Sequence, residues 1–259
     1  MRIPLYQVDA FTDRVFAGNP AAVCPLEAWL PDAVLQGIAA ENNLSETAFF
    51  VRSADGFALR WFTPAVEVEL CGHATLASAH VLFEHLGQPG SEIRFTCKSG
   101  GLAVARDGER LCLDFPARPP APLAEAAGLA EALGRAPRET WASRDWMAVF
   151  DGEDEVRELR PDMARLAALG CLAVIATAPG RECDFVSRFF APAKGVPEDP
   201  VTGSAHCSLV PYWARRLGRA RLLARQVSAR GGELLCEDRG PRVSIAGRAV
   251  TYLEGAIFI

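Results

Sequence analysis

The most informative pattern in the chain is a helix that is apolar on every side. Residues 72–86 place apolar or small side chains all round a helix, and the only formal charge comes late, at Glu84. A helix that is hydrophobic all round is normally buried, and its small residues let neighbouring strands approach closely. This pattern predicts a central helix that is surrounded by β-structure.

The same pattern occurs a second time, 131 residues later. Gly72 and Gly87 bound the first copy, and Gly203 and Gly218 bound the second at the same spacing of 15 residues. A repeat of this period is as long as a domain and far longer than the repeat of a solenoid. We therefore predict an internal duplication that gives two similar domains.

Short segments of alternating or apolar residues on either side of each central helix predict strands. In the first half they are residues 5–11, 21–24, 44–51, 57–62, 92–97, 102–105 and 111–115, and in the second half 146–150, 172–178, 184–190, 227, 234–236, 243–245 and 257–259. Further helices are predicted to begin near Pro31 and to cover residues 162–169. The arginines between residues 215 and 225 are interpreted as the solvated face of a helix.

The predicted fold class is α+β, with two duplicated domains, each a β-barrel-like, mostly antiparallel sheet around a central helix. Four prolines in residues 116–122 predict a stiff linker at the domain boundary. The domains would then be residues 1–117 and 118–259, and the last strand could pack back on the first domain.

Composition excludes several functional classes. A net charge of −5 and an isoelectric point near 5.5 provide no electrostatic footprint for nucleic acid. No apolar run approaches the roughly 20 residues that a membrane span needs. Eight cysteines occur without any C-x-x-C pair, which favours unpaired thiols in a reducing compartment. We expect a cytoplasmic protein that binds neither nucleic acid nor membrane.

Glu46 is a lone carboxylate in an apolar segment that is predicted to be a strand. Burying it would favour the protonated form unless it is paired, and such a group suits general acid–base chemistry. The alternative is that strand alternation places Glu46 on a solvated face. The sequence alone leaves both interpretations open.

The starts of the two central helices carry further candidates. Gly72 and Gly203 lack a β-carbon, so a ligand can come close to the backbone there. Free N–H groups at two such helix starts could hold a carboxylate or an enolate without any cation. His73, Asp199 and Ser204 lie beside these glycines. The alternatives are that His73 is a core histidine and that Asp199 and Ser204 only cap a helix.

Other chemistries find less support. A two-thiol racemase would need a counterpart to Cys71 in the second half, but the matching position is Thr202. His73 has no ligand partner at the spacing of an H-E-x-x-H zinc site. The chain also lacks a phosphate loop, a dinucleotide G-x-G-x-x-G and a G-x-S-x-G elbow. We therefore expect no metal and no cofactor.

Five blocks of sequence carry a resemblance to a known family. They are residues 16–23, 43–49, 62–64, 71–75 and 198–206. In that order they resemble the signature blocks of the PhzF family, the phenazine-biosynthesis-like proteins of the diaminopimelate-epimerase fold. The resemblance implies an active site between two domains, catalysis without a cofactor and, often, a homodimer.

The resemblance also implies roles for individual residues. In the phenazine enzyme one glutamate moves a proton between carbons, and the matching residue is Glu46. The expected catalytic residues are Glu46, His73 and Asp199, and the expected substrate-binding residues are Asn19, Gly72, Gly203 and Ser204. The predicted function is a cofactor-independent isomerase of a small carboxylate. The alternatives are a racemase or epimerase assisted by Cys71 and a non-catalytic binding protein.

Overall fold

The computed structural model describes every residue from Met1 to Ile259. Its backbone groups into two units, which we call unit 1 (Met1–Asp114 with Ala246–Ile259) and unit 2 (Phe115–Ile245). The predicted division into folding domains at residues 117 and 118 stays a prediction. None of the helices combines the length and the apolar content that crossing a bilayer requires.

The chain contains 18 strands and six α-helices. The first part contains β1 (Arg2–Ala10), β2 (Asn19–Leu26), α1 (Asp32–Asn42), β3 (Glu46–Ser53), β4 (Gly56–Phe62), β5 (Glu67–Val68), α2 (Gly72–Glu84), β6 (Glu92–Cys97), β7 (Gly100–Asp107) and β8 (Arg110–Pro116). The second part contains β9 (Ala121–Pro122), α3 (Leu129–Leu133), β10 (Glu139–Ala142), β11 (Trp146–Val149), α4 (Glu153–Glu158), α5 (Met163–Ala167), β12 (Val174–Pro179), β13 (Phe185–Ala191), β14 (Val196–Asp199), α6 (Gly203–Leu217), β15 (Arg221–Gln226), β16 (Gly232–Asp238), β17 (Arg242–Gly247) and β18 (Ala249–Phe258).

Strand pairing follows the same order in both units. In unit 1, β1–β2 is antiparallel, β2–β3 parallel, β3–β4 antiparallel, β4–β6 parallel and β6–β7 antiparallel. In unit 2, β10–β11, β11–β12, β12–β13, β13–β15 and β15–β16 repeat that series. The predicted α+β fold of two duplicated, mostly antiparallel units is therefore confirmed.

Both predicted central helices begin at the glycine that the repeat indicates. In α2, 11 of the 13 residues are buried, and the helix packs against β1, β2, β3, β7 and β18. In α6, ten of the 15 residues are buried, and this helix packs against β15 and β16. Small side chains in the first turns of both helices explain this burial, because they let the surrounding strands come close.

The interpretation of the arginines between residues 215 and 225 as one helix face holds only as far as Leu217, where α6 ends. The arginines near residue 225 do not continue a helix, because Arg221–Gln226 is β15, in which Leu222, Ala224 and Gln226 point inward at a period of two. The stiff linker that is expected at residues 116–122 stays a prediction. The Ala117 and Arg118 N–H groups donate to backbone carbonyls of unit 2, and β9 pairs with β10.

The C-terminal strand is longer than the sequence pattern predicts. β18 spans ten residues instead of the three expected, and it pairs antiparallel with β1 along its length, from Arg2 opposite Phe258 to Ala10 opposite Ala249. All ten of its residues are exposed or half-buried, although seven of them are apolar, so no alternation of buried and solvated positions marks the strand. None of the eight cysteines forms a disulfide.

Candidate functional site

Four of the predicted residues meet in unit 1, where three elements begin. Asn19 is the first residue of β2, Glu46 is the first residue of β3, and Gly72 and His73 open α2. β2 and β3 are parallel, with Ala21 opposite Glu46, so the starts of the two strands lie side by side. The packing of α2 against both strands brings His73 to the same place.

His73 and Glu46 are in direct contact. Nε2 of His73 lies 3.2 Å from Oε2 of Glu46, and the exposed fractions of the two side chains are 4% and 16%. The contact has the distance of an ion pair but not the angle of an aligned hydrogen bond. The carboxylate is thus largely withdrawn from water, which argues against a solvated strand face.

The other ring nitrogen of His73 faces two groups that can donate a hydrogen bond. Nδ1 lies 3.2 Å from Nδ2 of Asn19 and 3.5 Å from Sγ of Cys71. Burial lowers the pKa of His73 to about 3, so the imidazole is neutral at pH 7 and carries one proton. Because a carboxylate can only accept, this network assigns the proton to Nε2, on the side of Glu46.

Cys71, whose thiol contacts His73, also stands at the start of α2. It is the N-cap residue, in an extended conformation with φ −140° and ψ 113°, and its carbonyl accepts the first intrahelical bond from Thr75. The N–H groups that precede this bond have no intrahelical partner, and they carry the positive end of the helix dipole. An anion bound near Gly72 would accept hydrogen bonds from these N–H groups.

Glu46, Cys71 and His73 could also be considered as metal ligands, since their ligand atoms all lie within 4.8 Å of one another. However, Cys71 faces Nδ1 whereas Glu46 faces Nε2. A metal ion binds an imidazole through one nitrogen, so the ring would separate such an ion from one of the other two ligands. The geometry fits a chain of contacts from Cys71 through His73 to Glu46 better than a metal chelate. The expected absence of a metal stays a prediction.

The remaining three predicted residues meet in unit 2. Asp199 ends β14, Thr202 is the N-cap residue of α6, and Gly203 and Ser204 are the first two residues of this helix. The Thr202 hydroxyl donates to Oδ2 of Asp199. Because the cap position belongs to Thr202, neither Asp199 nor Ser204 is the helix cap.

A cation that no sequence motif predicts lies beside this second helix start. Nη2 of Arg144 donates to Oγ of Ser204 over 3.2 Å. The same guanidinium pairs with the carboxylate of Asp145 at 2.7 Å, and the Asp145 side chain is only 2% exposed. Arg144 lies outside all of the sequence motifs and 60 residues from Ser204, so no local pattern could have identified it.

Buried side chains support the Asp199–Thr202 segment. Gln226, which is 1% exposed, accepts from the Thr202 N–H at 2.8 Å and donates to the Asp199 carbonyl at 2.7 Å. His206 is fully buried and its Nδ1 lies 2.8 Å from the Thr202 carbonyl. Burial lowers the pKa of His206 to about 4, so its Nδ1 carries the proton of a neutral ring and donates.

The two helix starts correspond but are not identical. Cys71 and Thr202, which the repeat places at matching positions, are both N-cap residues. The second half therefore has a hydroxyl where a two-thiol racemase would have its second thiol. Asn19 is fully buried and contacts His73, so a direct contact between Asn19 and substrate stays a prediction.

Comparisons with known proteins agree with this description. The family model for phenazine biosynthesis-like protein (PhzC-PhzF) matches residues 8–255. An uncharacterized isomerase of Pseudomonas aeruginosa is 56% identical over 258 residues, which is 99% of each chain. A PhzF-family protein of Enterococcus faecalis with a solved crystal structure is 48% identical, with a TM-score of 0.98 over the whole of both chains.

A more distant structural neighbour, an epimerase, has a similar fold. The hydroxyproline epimerase of Agrobacterium vitis superposes with a TM-score of 0.63 at 12% identity, over 99% of this chain and 92% of the epimerase. At this identity the likeness concerns the fold alone. It agrees with the expected diaminopimelate epimerase-like architecture.

Proposed function

The chain belongs to the phenazine biosynthesis-like protein family and is an isomerase, and on that premise we propose that it moves a proton between two carbons of a small carboxylate-bearing substrate without a cofactor. The observation that carries this proposal is the 3.2 Å contact between Glu46 and His73. A largely buried carboxylate beside a neutral imidazole donor is an arrangement suited to a general base.

Glu46 performs the proton transfer in this proposal. As a carboxylate it removes a proton from a carbon that is α or vinylogous to a carboxyl or carbonyl group. The C–H electron pair passes into the substrate, which becomes an enolate, and Glu46 becomes a carboxylic acid. Protonated Glu46 then returns the proton to a different carbon. The product is an isomer of the substrate, and no oxidant or reductant is consumed.

His73 keeps Glu46 ready for this step. Its Nε2 lies 3.2 Å from the carboxylate and carries the proton of the neutral ring. Because burial lowers the pKa of His73 to about 3, the imidazole does not compete with Glu46 for the substrate proton at neutral pH. His73 thus orients the base, while the proton itself travels on Glu46.

We propose that the backbone N–H groups at the start of α2, at Gly72–His73, stabilise the enolate that Glu46 generates. The roles of Asp199, Gly203 and Ser204 toward the substrate stay predictions. Such N–H groups need no rearrangement when charge develops, and one donor of this kind contributes about 10²–10³-fold to the rate. Acid–base catalysis contributes about 10²–10⁴-fold more.

One observation favours a second candidate function. The Cys71 thiol touches His73, so a racemase or epimerase could use Cys71 as one acid–base group and Glu46 as the other. The hydroxyl of Thr202 at the matching position of unit 2 argues against the symmetric two-thiol version of that chemistry. Retained activity in Cys71→Ala would dispose of this alternative.

The direct experiment is incorporation of solvent deuterium into a panel of small carboxylates, followed by mass spectrometry and proton NMR. The isomerase incorporates deuterium at carbon, and Glu46→Gln does not. A protein that only binds the ligand would incorporate none, and a Cys71-dependent racemase would lose incorporation in Cys71→Ala. Gel filtration and light scattering would test the homodimer, which stays a prediction.

A further inference from the structure

One side-chain hydrogen bond spans Glu46, which is the first residue of β3. Asn42, the last residue of α1, donates from its Nδ2 to Oγ1 of Thr47 over 3.1 Å. Glu46 lies between these two residues in the chain, so the bond closes a short loop that contains the proposed base. Thr47 is only 1% exposed, so its hydroxyl has little access to water that could replace Asn42.

α1 and α2 lie on opposite faces of β3. Because side chains alternate along a strand, Thr47 and Phe49 share one face and Glu46 lies on the other. Phe49 packs in a buried cluster with Leu35 of α1, whereas Glu46 contacts His73 of α2. α1 therefore holds Thr47 from one side of the strand while His73 meets Glu46 on the other side.

The connection between α1 and β3 is too short to absorb a displacement. Asn43 ends α1 in the left-handed conformation, with φ 49° and its N–H bonded to the Ala39 carbonyl at 3.2 Å. Asparagine is one of the few residues besides glycine that adopt this conformation. Only residues 44 and 45 then separate this cap from Glu46, so a movement of Asn42 at the end of α1 reaches Glu46 directly.

α1 also holds the neighbouring strand at the same end. Nε2 of Gln36 donates to the Thr63 carbonyl over 2.8 Å. Thr63 directly follows Phe62, which ends β4 and pairs with Thr47 across the two strands. The two side-chain amides of α1 thus fix β3 and β4 where Glu46 begins the strand.

We infer that Asn42 and Thr47 are positioning residues for Glu46, and that the hydrogen bond between them holds the Glu46 carboxylate against Nε2 of His73. The inference rests on the proposed function in one respect, namely that Glu46 is the base. A base must meet the substrate carbon within narrow limits, and a displacement of about 1 Å lowers a rate by about 10²-fold. Loss of the bond therefore slows proton transfer without removing any group that touches the substrate.

The kinetic test measures solvent deuterium incorporation by variants of the full-length protein. The probe is the member of the carboxylate panel that the wild type deuterates fastest. Asn42→Leu and Thr47→Val each remove one end of the bond with little change of side-chain shape. Each should lower kcat for incorporation by about 10- to 10²-fold and leave KM nearly unchanged, because substrate binding is not altered.

Two further variants test whether the effect comes from this bond. The double variant of Asn42→Leu and Thr47→Val should lose no more than the worse single variant, because both changes remove the same interaction. Thr47→Ser keeps the hydroxyl and should restore most of the incorporation. If Thr47→Val does not fold, Asn42→Leu still gives the result, because Asn42 is only half-buried at the end of its helix.

The matched control is a hydrogen bond of the same length near the other end of β3. Nη2 of Arg52 donates to Oε1 of Gln88 over 3.1 Å, about 20 Å along the strand from Glu46. Gln88→Leu should leave kcat and KM for incorporation unchanged. A merely structural role for Asn42 would lower the thermal stability of Asn42→Leu and leave the kcat of the folded protein at the wild-type value.

Nitrogen-15 NMR of the imidazole provides a readout that needs no substrate. Asn42→Leu should shift the Nε2 resonance of His73, because the carboxylate beside it moves, and Gln88→Leu should not. An unchanged Nε2 resonance in Asn42→Leu, a wild-type kcat in the folded Asn42 and Thr47 variants, or additive losses in the double variant would overturn the inference. Normal incorporation by Glu46→Gln would instead overturn the proposed proton transfer, and the Nε2 shift would still report whether Asn42 positions Glu46.

Discussion

His73 and Glu46 form a contact of 3.2 Å between an imidazole nitrogen and a carboxylate oxygen. The two residues belong to different elements, the first turn of α2 and the first residue of β3. Burial keeps the imidazole neutral, and Asn19 and Cys71 on its far side leave its proton facing Glu46. The pair is thus a carboxylate beside a neutral imidazole, and the proposed proton transfer depends on this arrangement.

Asn19 should control the tautomer of His73. In Asn19→Asp, an acceptor replaces the donor beside Nδ1, which draws the ring proton to that side and turns a nitrogen lone pair toward Glu46. We expect deuterium incorporation to fall at least about tenfold, because the base loses its orienting donor. Nitrogen-15 NMR of the imidazole should show protonation at Nε2 in the wild type and at Nδ1 in the variant. Protonation at Nδ1 in the wild type would refute the assignment.

The buried histidines should make stability dependent on pH. Burial lowers the pKa of His73 to about 3 and the pKa values of His80 and His206 to about 4. The unfolded chain binds protons at these rings below about pH 6.5, whereas the folded chain does not. Their contribution to stability is therefore fully present above pH 6.5 and is lost as the pH falls toward 4.

Urea denaturation at several pH values measures this dependence. Each buried histidine should contribute about 1.4 kcal/mol per pH unit to the slope between pH 6 and pH 4.5. A His206→Gln variant should have a slope that is smaller by about this amount. An unchanged slope in His206→Gln would show that His206 is already protonated in the folded protein.

Arg188 should contribute far more to stability than an exposed arginine. Its guanidinium makes two hydrogen bonds to Glu198, of 2.7 and 2.8 Å, and donates to the Val156 and Leu159 carbonyls. Lysine cannot reproduce this planar set of donors, so Arg188→Lys should destabilise unit 2 by about 2–4 kcal/mol. The control is Arg94→Lys, because Arg94 forms an exposed pair with Glu92 and should change stability by less than about 0.5 kcal/mol. Equal effects in denaturant titrations would contradict the prediction.

Cys71 should be dispensable for chemistry. Its thiol touches Nδ1 of His73, and Asn19 remains as a donor when that thiol is removed. We expect Cys71→Ala to keep deuterium incorporation within about tenfold of the wild type, a loss below the 10²–10⁴-fold of a missing acid–base group. Cys71→Ser separates a steric effect from a chemical one. A larger loss in both variants would favour the racemase.

The sequence predicts the parts of the fold that depend on local pattern. The starts of α2 at Gly72 and α6 at Gly203 follow from an all-apolar helix and from the repeat, and both are where the pattern indicates. β15 was missed because its arginines resemble a helix surface, although its alternation of buried and exposed residues is that of a strand. Most of β18 is also not predicted, because none of its residues is buried and no alternation of buried and exposed positions marks the strand.

The candidate site likewise has parts that a local sequence pattern predicts and parts that it does not. Glu46 and His73 could be selected as individual residues, because a lone carboxylate and a helix-start histidine are local signals. Their contact depends on how β3 and α2 pack, and the approach of Arg144 to Ser204 and of Gln226 to Thr202 joins residues 60 and 24 positions apart. Such contacts are consequences of how the elements pack in the folded chain, and no short motif contains them.

The most direct test of the central claim is solvent deuterium incorporation by Glu46→Gln, with thermal unfolding as the control for folding. Glutamine keeps the size of the side chain and cannot take up the substrate proton. The account predicts a loss of about 10²–10⁴-fold in incorporation, with folding and ligand binding preserved. Incorporation at the wild-type rate in a folded Glu46→Gln protein would contradict it.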